Sequence, residues 1–136
     1  MTRRDRLLAL YKKYDLTKDE VFKSPQGWTI ITRAGIDKIQ AQAKITITYK
    51  PVDEFTSVVD NIYCIKAIGV MGDSLIETFG ESNPKNCRVA YPVAICEKRA
   101  MSRVVLKLTG FYELDVHGED ESWEDLSQVR PKIVNN

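Results

Sequence analysis

Three cations stand four residues apart in the second half of the chain: Arg99, Arg103 and Lys107. On a helix that spacing gathers them on one face, with Lys98 beside them. The chemistry open to such a stripe is phosphate recognition, because guanidinium and ammonium groups bind phosphate oxygens whatever the base sequence. Lys85 and Arg88 precede the stripe, while Lys44, Lys50 and Lys66 fall on predicted strands that border it. Tyr91 lies among these cations and is the aromatic best placed to stack on an unpaired base. Charges at this spacing also line ordinary solvated helix faces, so the stripe has to be read with its surroundings.

No catalytic constellation accompanies it. Ser74 and Ser102 have no histidine near them in the sequence, and the single histidine, His117, has no second imidazole with which to share a metal. Asp73, Glu77 and Glu81 flank a turn and read as polar punctuation, and Gly69, Gly72 and Gly80 make neither a Walker nor a dinucleotide pattern. Cys64, Cys87 and Cys96 are odd in number, at spacings of 23 and 9, which fit neither a disulfide framework nor paired zinc ligands. The expectation is a protein that is not an enzyme and carries no cofactor or metal, with free thiols in a reducing compartment.

The elements that must position these groups can be read from periodicity. Thr2 and Asp5 form a capping-box variant ahead of Leu7, Leu8, Leu10, Tyr11 and Tyr14, which predicts an N-terminal amphipathic helix. Thr17 and Glu20 repeat the signature, but Pro25 and Gly27 stop any second helix there after a turn or two. Residues 28–32 read as a strand and 33–41 as a short helix. In 43–50 Ile45, Ile47 and Tyr49 alternate with Lys44, Thr46, Thr48 and Lys50, as in a half-buried strand. After a loop at 51–60, strands at 61–70 and 75–80 meet through Gly72-Asp73, completing an antiparallel meander. Pro92 opens a long basic helix that Gly110 ends, with Val93, Cys96, Ala100, Val104, Leu108 and Phe111 on its sheet-facing side. The fold class is therefore α+β, a β-α-β-β-β-α core with a three-stranded meander packed on a basic helix. Residues 1–112 form the domain and 113–136 an acidic tail without a convincing period, in which Trp123 and Leu126 are placed to dock a short helix.

A chain of 136 residues, 43% hydrophobic and 29% charged, fits one globular domain, and no apolar run is long enough to span a bilayer. Its apolar N-terminal stretch is short and broken by Lys12 and Lys13, unlike a secretory signal, so the expected location is the cytoplasm. The net charge of +1 hides a split. Residues 1–112 hold 18 Lys and Arg against 12 Asp and Glu, and residues 113–136 hold 2 against 7. A basic body predicts an anionic partner, and the acidic tail either competes for that surface or recruits a protein partner.

In element order and sequence character, the chain resembles the single-strand annealing proteins of the Rad fifty-two type over residues 25–112. WTIITRAGIDKIQAQAKITITY is similar to the family's strand, helix and next strand, and ETFGESNPKNCRVAYPVAICEKRAMSRVVLKLTGFY to its last meander strand and its helix rich in Lys, Arg and Ala. The resemblance implies a ring- or filament-forming homo-oligomer. It would lay single-stranded DNA in a groove between meander and helix and anneal complementary strands without nucleotide hydrolysis. The groove-lining residues it implies are Lys44, Lys50, Lys66, Lys85, Arg88, Lys98, Arg99, Arg103 and Lys107, with Tyr91 as the stacking residue. Acidic Asp53, Glu54 and Asp60 in the 51–60 loop depart from that pattern. Two alternatives stay open: a double-stranded-RNA-binding module, which also ends in a basic helix, and a non-enzymatic interaction or inhibitory protein.

Overall fold

A computed structural model of the chain describes residues 1–121. Helix α1 (Arg3–Lys13) opens on a reciprocal cap, in which the Thr2 hydroxyl accepts from the Asp5 amide at 3.1 Å and the Asp5 carboxylate from the Thr2 amide at 3.2 Å. Its apolar face brings Leu7 and Tyr14 into the core, where the Tyr11 and Tyr14 rings lie 6.2 and 6.0 Å from that of Phe111. Burying Phe111 completely contributes about 1.5–3 kcal/mol.

Next come two short strands, β1 (Val21–Lys23) and β2 (Thr29–Ile31), paired antiparallel. Helix α2 (Arg33–Ala43) begins at Thr32, whose hydroxyl accepts from the Gly35 amide at 3.1 Å, and ends at Lys44 in the left-handed conformation. The meander is β3 (Thr46–Pro51), β4 (Tyr63–Met71) and β5 (Ser74–Ser82). Gly72, with φ +59°, takes the first central position of the two-residue hairpin turn, as a type II′ turn requires. Helix α3 (Pro92–Thr109) starts with proline at its first position and stops at Gly110, φ +89°.

The expected meander and basic helix are present, packed as predicted, but α3 is more central than one apolar face allows. Cys96, Ala100 and Val104 meet the meander, while Met101, Val105 and Leu106 are buried in the core shared with α1 and α2. Val93, expected on the packed face, is 50% exposed in the first turn. The expected boundary at residue 112 also moves. Leu114 and Val116 are buried, and a third short strand, β6 (Val116–Gly118), pairs parallel with β2 to complete a second sheet ordered β1-β2-β6. Val116–Gly118 lacks the β-branched and aromatic run that marks 28–32 as a strand, and its parallel pairing with β2 brings together Thr29 and Val116 from distant parts of the chain. Residues 113–121 are therefore part of the folded body. The expected docking of Trp123 and Leu126 lies outside the described residues.

Close approach of α3 to the meander depends on two glycines. A Cβ on Gly80 would collide with the carbonyl oxygen of Cys96 and the amide of Ala100, and one on Gly69 with the Val104 side chain. The Thr78 hydroxyl, donating to the Ala100 carbonyl at 2.8 Å, ties the same contact. Because the obstacle at Gly80 is helix backbone, Gly80→Ala is expected to cost about 3 kcal/mol. Urea denaturation checks this, and an unchanged midpoint would count against so tight an approach.

Candidate nucleic-acid interface

The ten expected contact residues do not share one groove. Lys50 and Lys66 are cross-strand neighbours, and Lys66 is in turn opposite Phe79, so the three form a row across the meander. Their face is the one turned away from α3, since Gly69, Thr78 and Gly80 on the alternate positions face the helix. Lys66 is paired with Glu77 at 3.5 Å. Lys44 is exposed at the end of α2. The groove expected between meander and helix is filled by direct contact between them.

The basic stripe divides even more sharply. Arg99, the centre of the expected contact set, is 2% exposed. Its Nε donates to the Asp120 carbonyl at 2.6 Å, Nη1 to the Glu81 carbonyl at 2.8 Å and the Asn86 side-chain oxygen at 3.1 Å, and Nη2 to the Asn86 carbonyl at 2.6 Å. A guanidinium so engaged is a structural tie and does not meet a phosphate in this arrangement. Arg103 donates through Nε and Nη2 to Glu121 at 2.8 and 2.6 Å, through both terminal nitrogens to Glu81 at 3.1 Å, and to the Phe79 carbonyl. Burial opposes its charge, but the hydrogen bonds and charges of Glu121 and Glu81 outweigh that and hold its pKa above the ordinary value. Lys107, at the far end, places Nζ 5.0 Å from the centre of the Tyr112 ring.

The head of α3 and the connector before it are the part that stays together. Tyr91 is 55% exposed, with the Lys98 ammonium 5.7 Å from its ring centre. Lys85 and Arg88 are exposed on the connector. Its shape comes from two asparagines: the Asn83 side-chain oxygen accepts from the amides of Lys85 and Asn86 at 2.8 and 3.0 Å, and the Asn86 oxygen accepts from the Asn83 amide at 2.8 Å. Arg99 grips Asn86 from beneath. The buried arginine thus positions the loop that presents Lys85, Arg88 and Tyr91.

Sequence reasoning passed over Phe79 in favour of Tyr91 as the stacking aromatic, and it missed Asn86 and the acidic turn Glu119–Glu121. Phe79 is 44% exposed, and its phase with Leu75, Glu77 and Glu81 on a period-two strand was the available signal. Glu119 accepts from the Arg33 amide at the start of α2, at 2.6 Å. Asp120 is largely enclosed, and one of its carboxylate oxygens has no partner. Burial pushes this carboxyl above its ordinary pKa, although the charges of Lys98, Arg33 and Arg99 pull the other way. Tyr49 faces α2 and α3, where burial and then Glu97 push its hydroxyl up to about 12. His117 packs between Trp28 and Tyr112, at 5.2 and 5.7 Å between ring centres, with Asp115 3.2 Å from its Nε2. All three cysteines are free and buried. Among the described residues no helix is long and apolar enough to cross a membrane.

Comparison with family models, curated proteins and solved structures finds no match to this chain.

The folded chain holds the Asp120 proton more tightly than the unfolded chain, so its ionisation at neutral pH weakens the fold, and the penalty fades as pH falls through the folded pKa. Asp120→Asn is therefore expected to raise stability by about 1 kcal/mol at neutral pH and by nothing at acid pH, where the carboxyl is already neutral. Denaturation across a pH series checks the sign, and an equal gain at every pH would contradict it.

Proposed function

We propose that this chain binds single-stranded DNA at the head of α3 and anneals complementary strands without nucleotide hydrolysis. One observation carries the reading: an exposed aromatic, Tyr91, has the Lys98 ammonium beside its ring and Lys85 and Arg88 on the connector leading to it. Such a surface joins the two ingredients of sequence-tolerant strand binding, cations that track phosphates and a π-face on which any base stacks. The resemblance to annealing proteins of the Rad fifty-two type supplies the second half of the proposal. Under it, copies of the chain assemble as a ring or filament so that bound strands meet.

Replacing Lys85 and Lys98 by alanine together is expected to lower the slope of log affinity against log salt by about 1.4, two single-strand phosphate contacts' worth. Tyr91→Ala is expected to weaken oligo(dT) binding by about tenfold with the slope unchanged. Fluorescence anisotropy at several salt concentrations, with duplex DNA and duplex RNA as competitors and light scattering on the same samples, tests both halves. Unaltered affinity in these variants removes the assigned surface. Tighter binding of duplex RNA by a monomer favours the double-stranded-RNA module instead.

A further inference from the structure

The three residues of the acidic turn each occupy a donor, two of them on α3 behind the proposed strand path and the third at the start of α2. The Glu119 carboxylate takes the Arg33 amide at 2.6 Å, the Asp120 carbonyl takes Arg99 Nε at 2.6 Å, and the Glu121 carboxylate takes Arg103 through two nitrogens. The Glu121 side chain is only 10% exposed, so this is an enclosed ion pair and not a chance surface contact. Resting on the strand-binding reading, we propose that Glu119–Glu121 is an autoinhibitory latch: the chain's own carboxylates hold the Arg103 end of the α3 face until a polyanionic strand displaces them.

The chemistry of exchange is matched. A carboxylate and a phosphodiester are both acceptor-only anions, and either satisfies a guanidinium fork in the same way. Arg103 does not collapse when Glu121 leaves, because Glu81 and the Phe79 carbonyl still hold it against the edge of β5. Closure is also imperfect, since the latch encloses the Asp120 carboxylate with one oxygen unpartnered. Closed, the turn sets the Glu121 carboxylate on Arg103 and encloses the Asp120 carboxylate beside it, next to a helix whose remaining cations must attract phosphate. A strand bound at Tyr91 and Lys98 can extend along α3 only after they move aside.

The test uses the full chain carrying Glu119→Gln and Glu121→Gln, which keep acceptor oxygens but lose the charges. A control with Asp53→Asn and Glu54→Gln removes two exposed charges from the turn between β3 and β4. The latch variant is expected to bind oligo(dT) about fivefold more tightly than the control, and adding Arg103→Ala is expected to abolish that gain. Equal tightening in latch variant and control overturns the proposal while leaving strand binding intact. The Arg103 Nε–H NMR signal, titrated with inorganic tripolyphosphate, separates the remaining cases. If no protein binds oligo(dT), movement of that signal in the latch variant and not in the wild type keeps the latch and discards the strand reading. No movement in either overturns both.

Discussion

The arrangement depends most on two guanidinium groups one helical turn apart. Arg99 and Arg103 reach from α3 to the carbonyls of Glu81 and Phe79. In the hairpin register set by the turn at Gly72-Asp73, these are the β5 carbonyls that point away from β4. An open strand edge carries unsatisfied main-chain groups and invites pairing with another chain, and the two arginines cover this one. Arg99 also holds the Asn86 carbonyl of the connector and the Asp120 carbonyl of the acidic turn. One side chain therefore joins a sheet edge, a loop and the chain's return from β6. Its charge can be buried because hydrogen bonds from all three guanidinium nitrogens compensate it in fork geometry, which an ammonium could not match.

The second constraint is the closeness of α3 to the meander. Glycines on β4 and β5 bring the helix axis near enough for α3 to hold the meander with one side and β6 and α2 with the other. A helix sandwiched in this way has little solvated surface to offer. Its remaining exposed surface lies at its head, where Tyr91, Val93 and Glu97 emerge, and at Lys107 near its end. The same packing thus confines the surface α3 shows in the closed fold to its first turns, the connector before them and Lys107 near its end.

Much of this was legible in the sequence. Capping residues at Thr2, the alternation from Lys44 to Lys50, the Gly72-Asp73 turn and Pro92 and Gly110 at the ends of α3 each act through local geometry, and local geometry is what a sequence displays. The roles of Arg99 and Arg103 were not legible. Four-residue spacing is the same whether a stripe faces water or a strand edge, and the main-chain carbonyls among their partners, 13 to 24 positions away, leave no residue signature. β1 and β6 escaped because neither carries the run of β-branched and aromatic residues that marks 28–32. The acidic segment after Glu113 read as a tail by composition, yet Leu114 and Val116 anchor its start while Glu119 and Glu121 find donors waiting. Charge asymmetry between the two parts of the chain was real. Its consequence in the fold is an internal contact as well as a surface property.

Charges that hold the fold are distinct here from charges that face solvent, and Arg99 is where that separation is sharpest. The most direct measurement is the unfolding free energy of Arg99→Lys in urea, which keeps the positive charge and removes the fork. A loss of about 3 kcal/mol is expected, because carbonyls of Glu81, Asn86 and Asp120 lose donors that a single ammonium cannot all replace. Full stability in that variant, with weakened binding to oligo(dT), would contradict the account and return Arg99 to the ligand surface.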